Sequence, residues 1–455
     1  MRVLGTLFGR KLGLAGLALV AATLASAPAH AEVSAETAFV FNTFAFLVSG
    51  FLVMWMAAGF AMLESGLVRT KNTATICLKN IALYSVAGIM YYVIGYNLMY
   101  VDVSGYLGSF GIFYNAGDAE FGLIGGDATQ LEAVVGNGYS VMSDWFFQMV
   151  FVATAASIVS GTLAERIKFW PFMIFVVVLT GVLYPIQGSW TWGGGWLSEM
   201  GFSDFAGSTI VHSVGGWAAL VGAIILGPRK GKYGADGSVH PMPGANLPLA
   251  TLGTFILWLG WFGFNGGSQL ALGSALDAAA MAIVYVNTNL AACAGVVVAI
   301  ILTQLIYKKI DLTMALNGAI GGLVAITAGP DLSHHGVALI VGGIGGALVV
   351  FAVPLMDKLK IDDVVGAISA HLVAGIWGTL AVAIFGGNFA EQIVPQIIGI
   401  VAVGIFMIVT SAIVWLVLKY TVGLRVDEES EEMGLDKAEL GMEAYPEFGH
   451  GSQSI

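Results

Sequence analysis

The sequence predicts an all-α membrane protein with eleven transmembrane helices, and three observations lead to this prediction. First, 57% of the 455 residues are hydrophobic and 10% are charged, whereas soluble domains are about a quarter charged. Second, the apolar residues form repeated blocks near the length of about 20 that a helix needs to cross about 30 Å of hydrocarbon. Third, basic residues flank only alternate blocks, which is typical of a chain that crosses a membrane repeatedly.

Charge and cysteine usage exclude other classes. The formal net charge is −11 and the chain has no basic patch, so a nucleic-acid-binding protein is excluded. Cys77 and Cys293 are far apart in the sequence and both lie inside apolar blocks, so they do not indicate a disulfide framework.

The N-terminus has the pattern of a secretory leader. A basic start precedes an apolar run from Leu12 to Ala27, and an A-x-A pattern follows at Ala29 to Ala31. We therefore predict that residues 1–31 are a signal peptide and that the mature chain begins at Glu32, on the outer face of the membrane. The alternative is an additional transmembrane helix.

Eleven apolar blocks follow the leader and are the predicted spans. The eighth, from Leu312 to Gly329, is short and rich in Ala and Gly. The blocks are centred near residues 50, 87, 152, 178, 217, 258, 292, 321, 344, 375 and 407.

The flanking charges predict the orientation, because Lys and Arg near helix ends collect on the cytoplasmic side. Beyond the leader, every Lys and Arg flanks a connection after an odd-numbered span, starting with Arg69 and Lys71. The other connections carry acidic residues such as Asp204 and Asp331. This alternation requires the eighth span, and it predicts an external N-terminus and an internal C-terminus. The acidic outer face either concentrates cations or simply lacks basic residues for topological reasons.

Glycine is unusually frequent, with 62 residues, and it occurs in runs such as Gly318 to Gly322 and Gly342 to Gly346. These runs place small residues on helix faces and predict close packing of helix backbones.

One short string occurs twice, in the fifth and in the tenth span. Asp204 precedes His212 by eight residues, in the pattern D-x7-H-S-V-G-G, and Asp363 precedes His371 in the pattern D-x7-H-L-V-A-G. The fifth span enters from outside and the tenth from inside. The strings therefore predict two five-helix inverted repeats plus an eleventh helix. Each histidine would lie about 12 Å from an interface, near the middle of the membrane.

An imidazole at that depth is costly unless it is hydrogen-bonded, so such a histidine indicates a functional site. No other ionisable residue is predicted to lie comparably deep. The alternative is that each histidine only joins two helices. A metal site is poorly supported, because no carboxylate or cysteine accompanies the pair at ligand spacing. Two rings that bond through Nδ1 would suit a small polar solute that is neutral or gives up a proton.

The segment from Asp204 through His212 to Gly227-Pro228-Arg229 resembles the signature of the ammonium transporter family (Amt/MEP/Rh). The resemblance covers nearly the whole mature chain in order, and the bacterial branch with its inner-membrane location fits best. Further matching strings are Phe146-Phe147-Gln148, Ala164-Glu165-Arg166, Trp192-Gly193-Gly194-Gly195, Trp261 to Ser268, Val286-Asn287-Thr288 and Gly423-Leu424-Arg425-Val426.

The resemblance implies a homotrimer with one pore through each protomer. It also implies roles for single residues. His212 and His371 match the family's twin pore histidines, and Asp204 matches a buried acid near the outer mouth. The residues that match the ammonium recruitment site are Phe147, Phe151, Trp192 and Ser268, and those that match the stacked rings closing the outer mouth are Phe151 and Phe264.

A mechanism follows as a hypothesis. Aromatic faces and a hydroxyl hold ammonium, which loses its proton and crosses the apolar constriction as ammonia. The reason is that an ammonium ion in hydrocarbon costs far more than neutral ammonia. No cofactor is implied. Another hypothesis is an intramembrane enzyme built on the histidines. The sequence does not favour it, because a nucleophile or a metal-binding triplet at the depth of the histidines is lacking.

Residues 32–422 are the predicted transmembrane domain and residues 423–455 a cytoplasmic regulatory tail. Composition alone indicates a solvated, disordered tail. The resemblance instead implies docking to the cytosolic face and control by a PII-type signalling protein. Leu372 after the second histidine, and Leu440 and Met442 in the tail, depart from the pattern of many relatives.

Two other functions compete with transport of ammonium. One is an ammonium sensor that signals through the tail. The other is a channel for neutral gas, ammonia or carbon dioxide, against which Trp192 and Ser268 at the cation site argue.

Overall fold

The computed structural model describes residues 33–332 and 334–446. The predicted signal peptide, residues 1–31, lies outside the described residues. The described residues are helical and contain no strand, only the isolated bridges Ile167–Arg425 and Tyr233–Val239.

Eleven long helices, α1 to α11, form the body of the molecule, and each contains one of the predicted span centres. Ten are long and apolar enough to cross a membrane, whereas α8, with 15 residues, is shorter. In chain order they are Ala35–Leu67, Thr70–Tyr100, Val141–Thr162, Phe169–Ser189, Ser208–Leu226, Leu247–Gly267, Ala275–Tyr307, Leu312–Ile326, His335–Lys358, Ile368–Phe385 and Phe389–Thr421.

Short helices lie in the connections and the tail. Four of the long helices contain a π-helical turn, which lies inside α2 and α4 and at the beginning of α5 and α10. The short helices are Asp118–Ile124, Ala128–Gln130, Leu131–Gly136, Trp196–Glu199, Glu428–Met433 and Asp436–Leu440. The π-helical turns are Tyr91–Gly95, Leu179–Leu183, Ser208–Ser213 and Ile368–Val373. Turns of this kind are frequent at functional sites, and the last two carry the histidines.

Glycine lets α7, α8 and α9 approach closely, as the glycine runs predict. A β-carbon on Gly342 would lie 2.2 Å from the carbonyl oxygen of Ala291, and one on Gly295 would lie 2.2 Å from that of Gly318. Such distances are too short for any larger residue, so the backbones are in direct contact.

The interior of the bundle is formed mainly by α3 and α5. In the apolar segment of each helix, 89% of the residues are buried in α3 and 78% in α5. The corresponding share is 28% in α7 and in α11. Helices that bury most of their surface contact protein on all sides. The residues of α3 and α5 are therefore the ones placed to line a site inside the bundle.

Buried ion pairs hold one end of the bundle, which we call the basic face. Glu165 pairs with Arg69 at 2.5 Å and with Arg229 at 3.3 Å, and Arg229 pairs with Asp362 at 2.8 Å. Burial opposes ionisation of Asp362, but the hydrogen bonds and charges of Arg229 and Arg166 outweigh it and hold the pKa below its ordinary value. These side chains join the α1–α2, α3–α4, α5–α6 and α9–α10 connections.

The described part of the tail, residues 423–446, folds onto the basic face. The Asp436 carboxylate accepts hydrogen bonds from the Ala74 amide at 2.9 Å and from the Thr75 amide and hydroxyl at 2.8 and 2.9 Å. Lys71 Nζ donates to the Glu431 carbonyl at 2.9 Å. Over these residues, the disordered tail that composition alone indicates is wrong, because the side chains of Asp436 and Glu431 have fixed partners.

The tail positions that depart from the family pattern do not carry this docking. Leu440 is half-buried and the side chain of Met442 is 49% exposed. The contacts come instead from Glu431 and Asp436, which are buried, so docking is retained despite both departures.

The close approach of α7 and α9 predicts the effect of one substitution. Gly342→Val should lower the melting temperature in detergent, because the side chain must displace the α7 backbone and overpacking costs about 1–3 kcal/mol. Gly336→Val, in the same helix but with no atom near its β-carbon position, is the control. Equal melting temperatures for the two variants would contradict the packing described here.

Candidate functional site

Two histidine rings face each other inside the bundle. His212 lies in the π-helical turn that begins α5, and His371 lies in the one that begins α10. Their Nδ1 atoms are 3.2 Å apart, and the residues are 0% and 4% exposed. His212 Nε2 is buried and has no hydrogen-bond partner among the described residues. The pair therefore satisfies two of its four ring nitrogens and leaves at least one available to a solute.

A buried aspartate holds the beginning of each histidine-bearing helix. Asp204 accepts four backbone amides, from Gly207, Ser208, Thr209 and Ile210, at 2.8–3.0 Å. These amides have no partner within the helix, so the carboxylate stabilises its first turn. Burial raises the Asp204 pKa, and the four amide hydrogen bonds partly offset this effect.

Asp363 plays the corresponding part in α10. It accepts the amides of Ala367 and Ile368 at 3.0 and 2.8 Å and the Thr162 hydroxyl at 2.9 Å. Burial raises its pKa to about 6 against these hydrogen bonds. The two D-x7-H strings therefore fold in the same way, each with its aspartate at the helix start and its histidine one π-helical turn further on.

Aromatic rings cover the histidines on the side away from the basic face. Phe151 and Phe264 are stacked with their ring centroids 3.9 Å apart. Phe264 stacks in turn on His212, at 5.2 Å. Rings stacked at 3.9 Å are in van der Waals contact, so no solute fits between them. A solute can reach His212 past these rings only if one of them moves.

A second aromatic cluster lies against the stacked rings. Phe147 is 4.8 Å from Phe151, and Trp192 is 5.9 Å from Phe151, both in edge-on geometry. Trp192 Nε1 donates to the Asp204 carbonyl at 3.0 Å. The same aspartate thus fixes the start of α5 with its carboxylate and the indole with its backbone.

Ser268 lies at the end of α6, next to this cluster. Its hydroxyl donates to the Phe264 carbonyl at 2.8 Å, so its oxygen remains free to accept a hydrogen bond. The preceding residue, Gly267, lies against the Phe147 ring, because a β-carbon there would be 2.5 Å from it. The structure therefore brings together all eight residues that the sequence predicts to form the site.

Two aromatic residues at the histidines were not assigned from the sequence. The Trp261 ring stacks on His212 at 5.0 Å, and its Nε1 donates to the Thr327 hydroxyl at 2.8 Å. Its spacing of three residues from Phe264 on α6 places both on one face, which is a usable signal. Phe60, 6.2 Å from His371, carries no such signal in the uniformly apolar α1.

Other ionisable residues besides the histidines are also buried inside the bundle. Glu64 and Lys79 are each 1% exposed and Asp144 is 8% exposed. Lys79 had been placed in a flanking connection, because the sequence does not show that α2 begins at Thr70.

Two cavities lie between the histidines and the basic face. The smaller, of about 10 Å³, is lined by residues that include Phe60, Glu64 and His371. The larger, of about 700 Å³, reaches the basic face. Asn317 and Val365 line both cavities, so these two side chains separate the histidines from the larger space. No group of three or more His, Cys, Asp or Glu residues is placed to hold a metal ion in the described part of the chain.

A bundle of helices that are long and apolar enough to cross a membrane defines a multi-pass membrane protein. The sequence model of the Ammonium Transporter Family matches residues 44–445. The chain is 41% identical to ammonium transporter Amt2 of Archaeoglobus fulgidus, covering 88% of this chain and 87% of that protein. It is 34% identical to an ammonium transporter of Bacillus subtilis, covering 87% and 96%. The chain belongs to the ammonium transporter family.

Solved structures agree with this assignment. A sensor Amt protein superposes with a TM-score of 0.81 at 37% identity, over 88% of this chain and 98% of that one. Mep2 of Candida albicans superposes with a TM-score of 0.76 at 26% identity, over 87% and 89%. The relatives with ammonium transporter names point to a protein that is not an enzyme.

The Asp204 contacts predict a large loss of stability on truncation. Asp204→Ala should lower the melting temperature in detergent by several degrees, because it leaves four amides without partners and each buried unmade hydrogen bond costs about 1–3 kcal/mol. The melting temperature of Asp204→Asn, which keeps one side-chain oxygen, should lie between those of the wild type and Asp204→Ala. Asp236→Ala is the control, since Asp236 is exposed and bonds only within its own turn. If Asp204→Ala has the same melting temperature as Asp236→Ala, the Asp204 carboxylate does not stabilise the start of α5.

Proposed function

We propose that the protein transports ammonium by taking up NH4+ at an aromatic site, deprotonating it and conducting NH3 past the twin histidines into the cytoplasm, with separate passage of the proton. The observation that carries the proposal is the buried, facing imidazole pair, with Nδ1 atoms 3.2 Å apart, behind the stacked rings of Phe151 and Phe264. Such a pair offers hydrogen bonds without a fixed charge, which suits a neutral solute better than an ion.

The recruitment site consists of Phe147, Phe151, Trp192 and Ser268. A small cation gains about 0.5–2 kcal/mol over an aromatic face, and the Ser268 oxygen accepts a hydrogen bond from it. Asp204 orients the site through its backbone carbonyl, which holds the Trp192 indole. Phe151 and Phe264 form the gate that must open before the solute reaches His212.

Deprotonation follows from the cost of burying charge. An isolated ammonium ion between the gate rings and the histidines would lose its hydration and meet no carboxylate, at a cost of several kcal/mol or more. The transfer of neutral ammonia into the same space costs much less free energy, and ammonia can still form a hydrogen bond with an imidazole nitrogen. Conduction as ammonia therefore lowers the barrier, and the proton takes its own route.

We propose the following membrane arrangement. All eleven helices cross the membrane, α8 included, as two five-helix inverted repeats plus α11. Residues 1–31 are a signal peptide, 32–422 the transporter domain and 423–455 the regulatory tail. The mature N-terminus is outside, the basic face is cytoplasmic, and the protein is a homotrimer in the bacterial inner membrane. The D-x7-H correspondence of α5 and α10 and the distribution of basic residues support this arrangement.

The tail is proposed to mediate control by a PII-type signalling protein. The fixed contacts of Glu431 and Asp436 with the basic face support this, because they couple the tail to the first turns of α2. A protein that binds the tail would then act on the helices that enclose the histidines.

The twin histidines are tested by substitution in reconstituted liposomes. His212→Ala and His371→Ala should each reduce ammonium-dependent current or its selectivity over potassium at least about tenfold, because removing one ring leaves the other without its partner and opens the constriction to hydrated ions. His240→Ala, on an exposed loop, is the control. The twin-histidine role is overturned if both variants keep the current and the selectivity of the wild type.

The wild-type measurement separates the competing functions. Ammonium-dependent current supports transport as proposed. Flux of ammonia without charge movement supports the neutral gas channel, and ammonium binding with neither supports the sensor.

The regulatory role of the tail is tested by pull-down. A PII protein should be retained by the intact protein in a manner that depends on nitrogen supply, and Asp436→Ala should weaken retention several-fold, because it removes three hydrogen bonds that fix the tail. Glu429→Ala, at an exposed tail position, is the control. Retention that neither nitrogen nor Asp436→Ala changes would argue against this role.

A further inference from the structure

Glu64 is a buried carboxylate that the proposed transport mechanism does not use. It lies in α1, is 1% exposed, and lines the 10 Å³ cavity that His371 also lines. Its Oε2 accepts hydrogen bonds from the Ser160 hydroxyl at 2.9 Å and from Asn80 Nδ2 at 3.1 Å. Its Oε1 is buried and has no partner among the described residues.

The cavity between Glu64 and His371 has about the volume that one water molecule needs. A buried oxygen without a partner is rare in proteins and calls for a specific explanation, such as a bound water or a functional role. The remaining lining is mainly apolar, with Phe60, Ile158 and Val365 among its residues. The polar side chains of the lining are those of Glu64, His371, Ser157 and Asn317. The Ser157 hydroxyl already donates to the Ala153 carbonyl, so a water there would have the imidazole and the free carboxylate oxygen among its polar partners.

The charge of Glu64 has a counterpart in Lys79. Lys79 Nζ donates to the Ser160 carbonyl at 3.1 Å, while the Ser160 hydroxyl donates to Glu64. Ser160 thus links the two charged groups, which are not in direct contact. A buried carboxylate needs such a counter-charge in order to remain in the interior.

We propose that Glu64 is the proton acceptor on the basic-face side of the twin histidines, reached from His371 through one water. Protonated His371 gives its proton to the water while the water gives one of its own to Glu64 Oε1. The imidazole becomes neutral, the carboxylate becomes a carboxylic acid and the water is unchanged. This inference rests on the proposed function, since it concerns the proton that ammonium loses.

The geometry also offers the proton a way out. Asn317 and Val365 line both the small cavity and the 700 Å³ cavity. These two side chains therefore form the partition between the two spaces. Glu64 regains its negative charge when it releases the proton toward this larger space, whose lining includes Lys232, Asp311 and Asp357.

The experiment compares charge movement with ammonia flux in liposomes that contain the full-length protein. Glu64→Gln keeps the size of the side chain and an oxygen for Ser160 and Asn80 but cannot take up a proton. It should lower ammonium-dependent current about tenfold or more, while the flux of neutral ammonia, followed by an internal pH-sensitive dye, stays within twofold of the wild type. Glu64→Asp should recover part of the current.

Glu36→Gln, the same change at an exposed position of α1, is the control. The proposal is overturned if Glu64→Gln carries the wild-type current, or if current and ammonia flux fall together. Should Glu64→Gln fail to fold, Glu64→Leu, which likewise cannot take up a proton, is measured in its place, and an unchanged ratio of charge to ammonia then overturns the proposal. A wild-type protein that moves no charge refutes the proposed function itself, whereas a conducting wild type with a conducting Glu64→Gln refutes only the role of Glu64.

Discussion

The hydrogen bond between two imidazole rings is the contact on which the interior of this protein depends. A polar ring in a region without water must find its partner inside the protein, and here each histidine finds it in the other. The facing arrangement requires that α5 and α10 begin inside the bundle at matched positions. The aspartates at their first turns and the π-helical turns that follow fix those positions. The stacked rings of Phe264 and Trp261 then complete an apolar enclosure around one side of the pair.

Much of this could be predicted because hydrocarbon imposes simple rules on a chain. Backbone groups must be satisfied within each segment, so apolar blocks of sufficient length are helices, and all eleven predicted centres lie in helices. The spacing of Asp204 and His212 indicated a buried ring one short stretch inside a helix, since that requirement is local. Helix α8 was harder to predict, because a short segment rich in Ala and Gly is stabilised by glycine contacts with α7 and α9 that hydropathy does not report.

Features that depend on contacts distant in sequence could not be predicted. Lys79 is separated from Ser160 by a whole helix and a long connection, and only the fold shows that it is buried rather than at a membrane surface. The acidic tail has the composition of a solvated segment, but Lys71 and the Thr75 amide provide partners that composition cannot reveal. The π-helical turns were missed because an extra residue in a helix leaves no periodic mark in a short string. The family resemblance, rather than the chemistry of single residues, connected the aromatic site with ammonium.

The contact between two like nitrogens has one further consequence. When both rings are neutral, each carries a single proton, so one Nδ1 must donate and the other must accept. The donor ring then presents a bare Nε2, and its neighbour presents an Nε2 that bears hydrogen. The pair is therefore chemically asymmetric although its two halves are built alike. Exchange of the tautomers would reverse that polarity, so an arriving molecule can meet either of two opposite arrangements in the same protein.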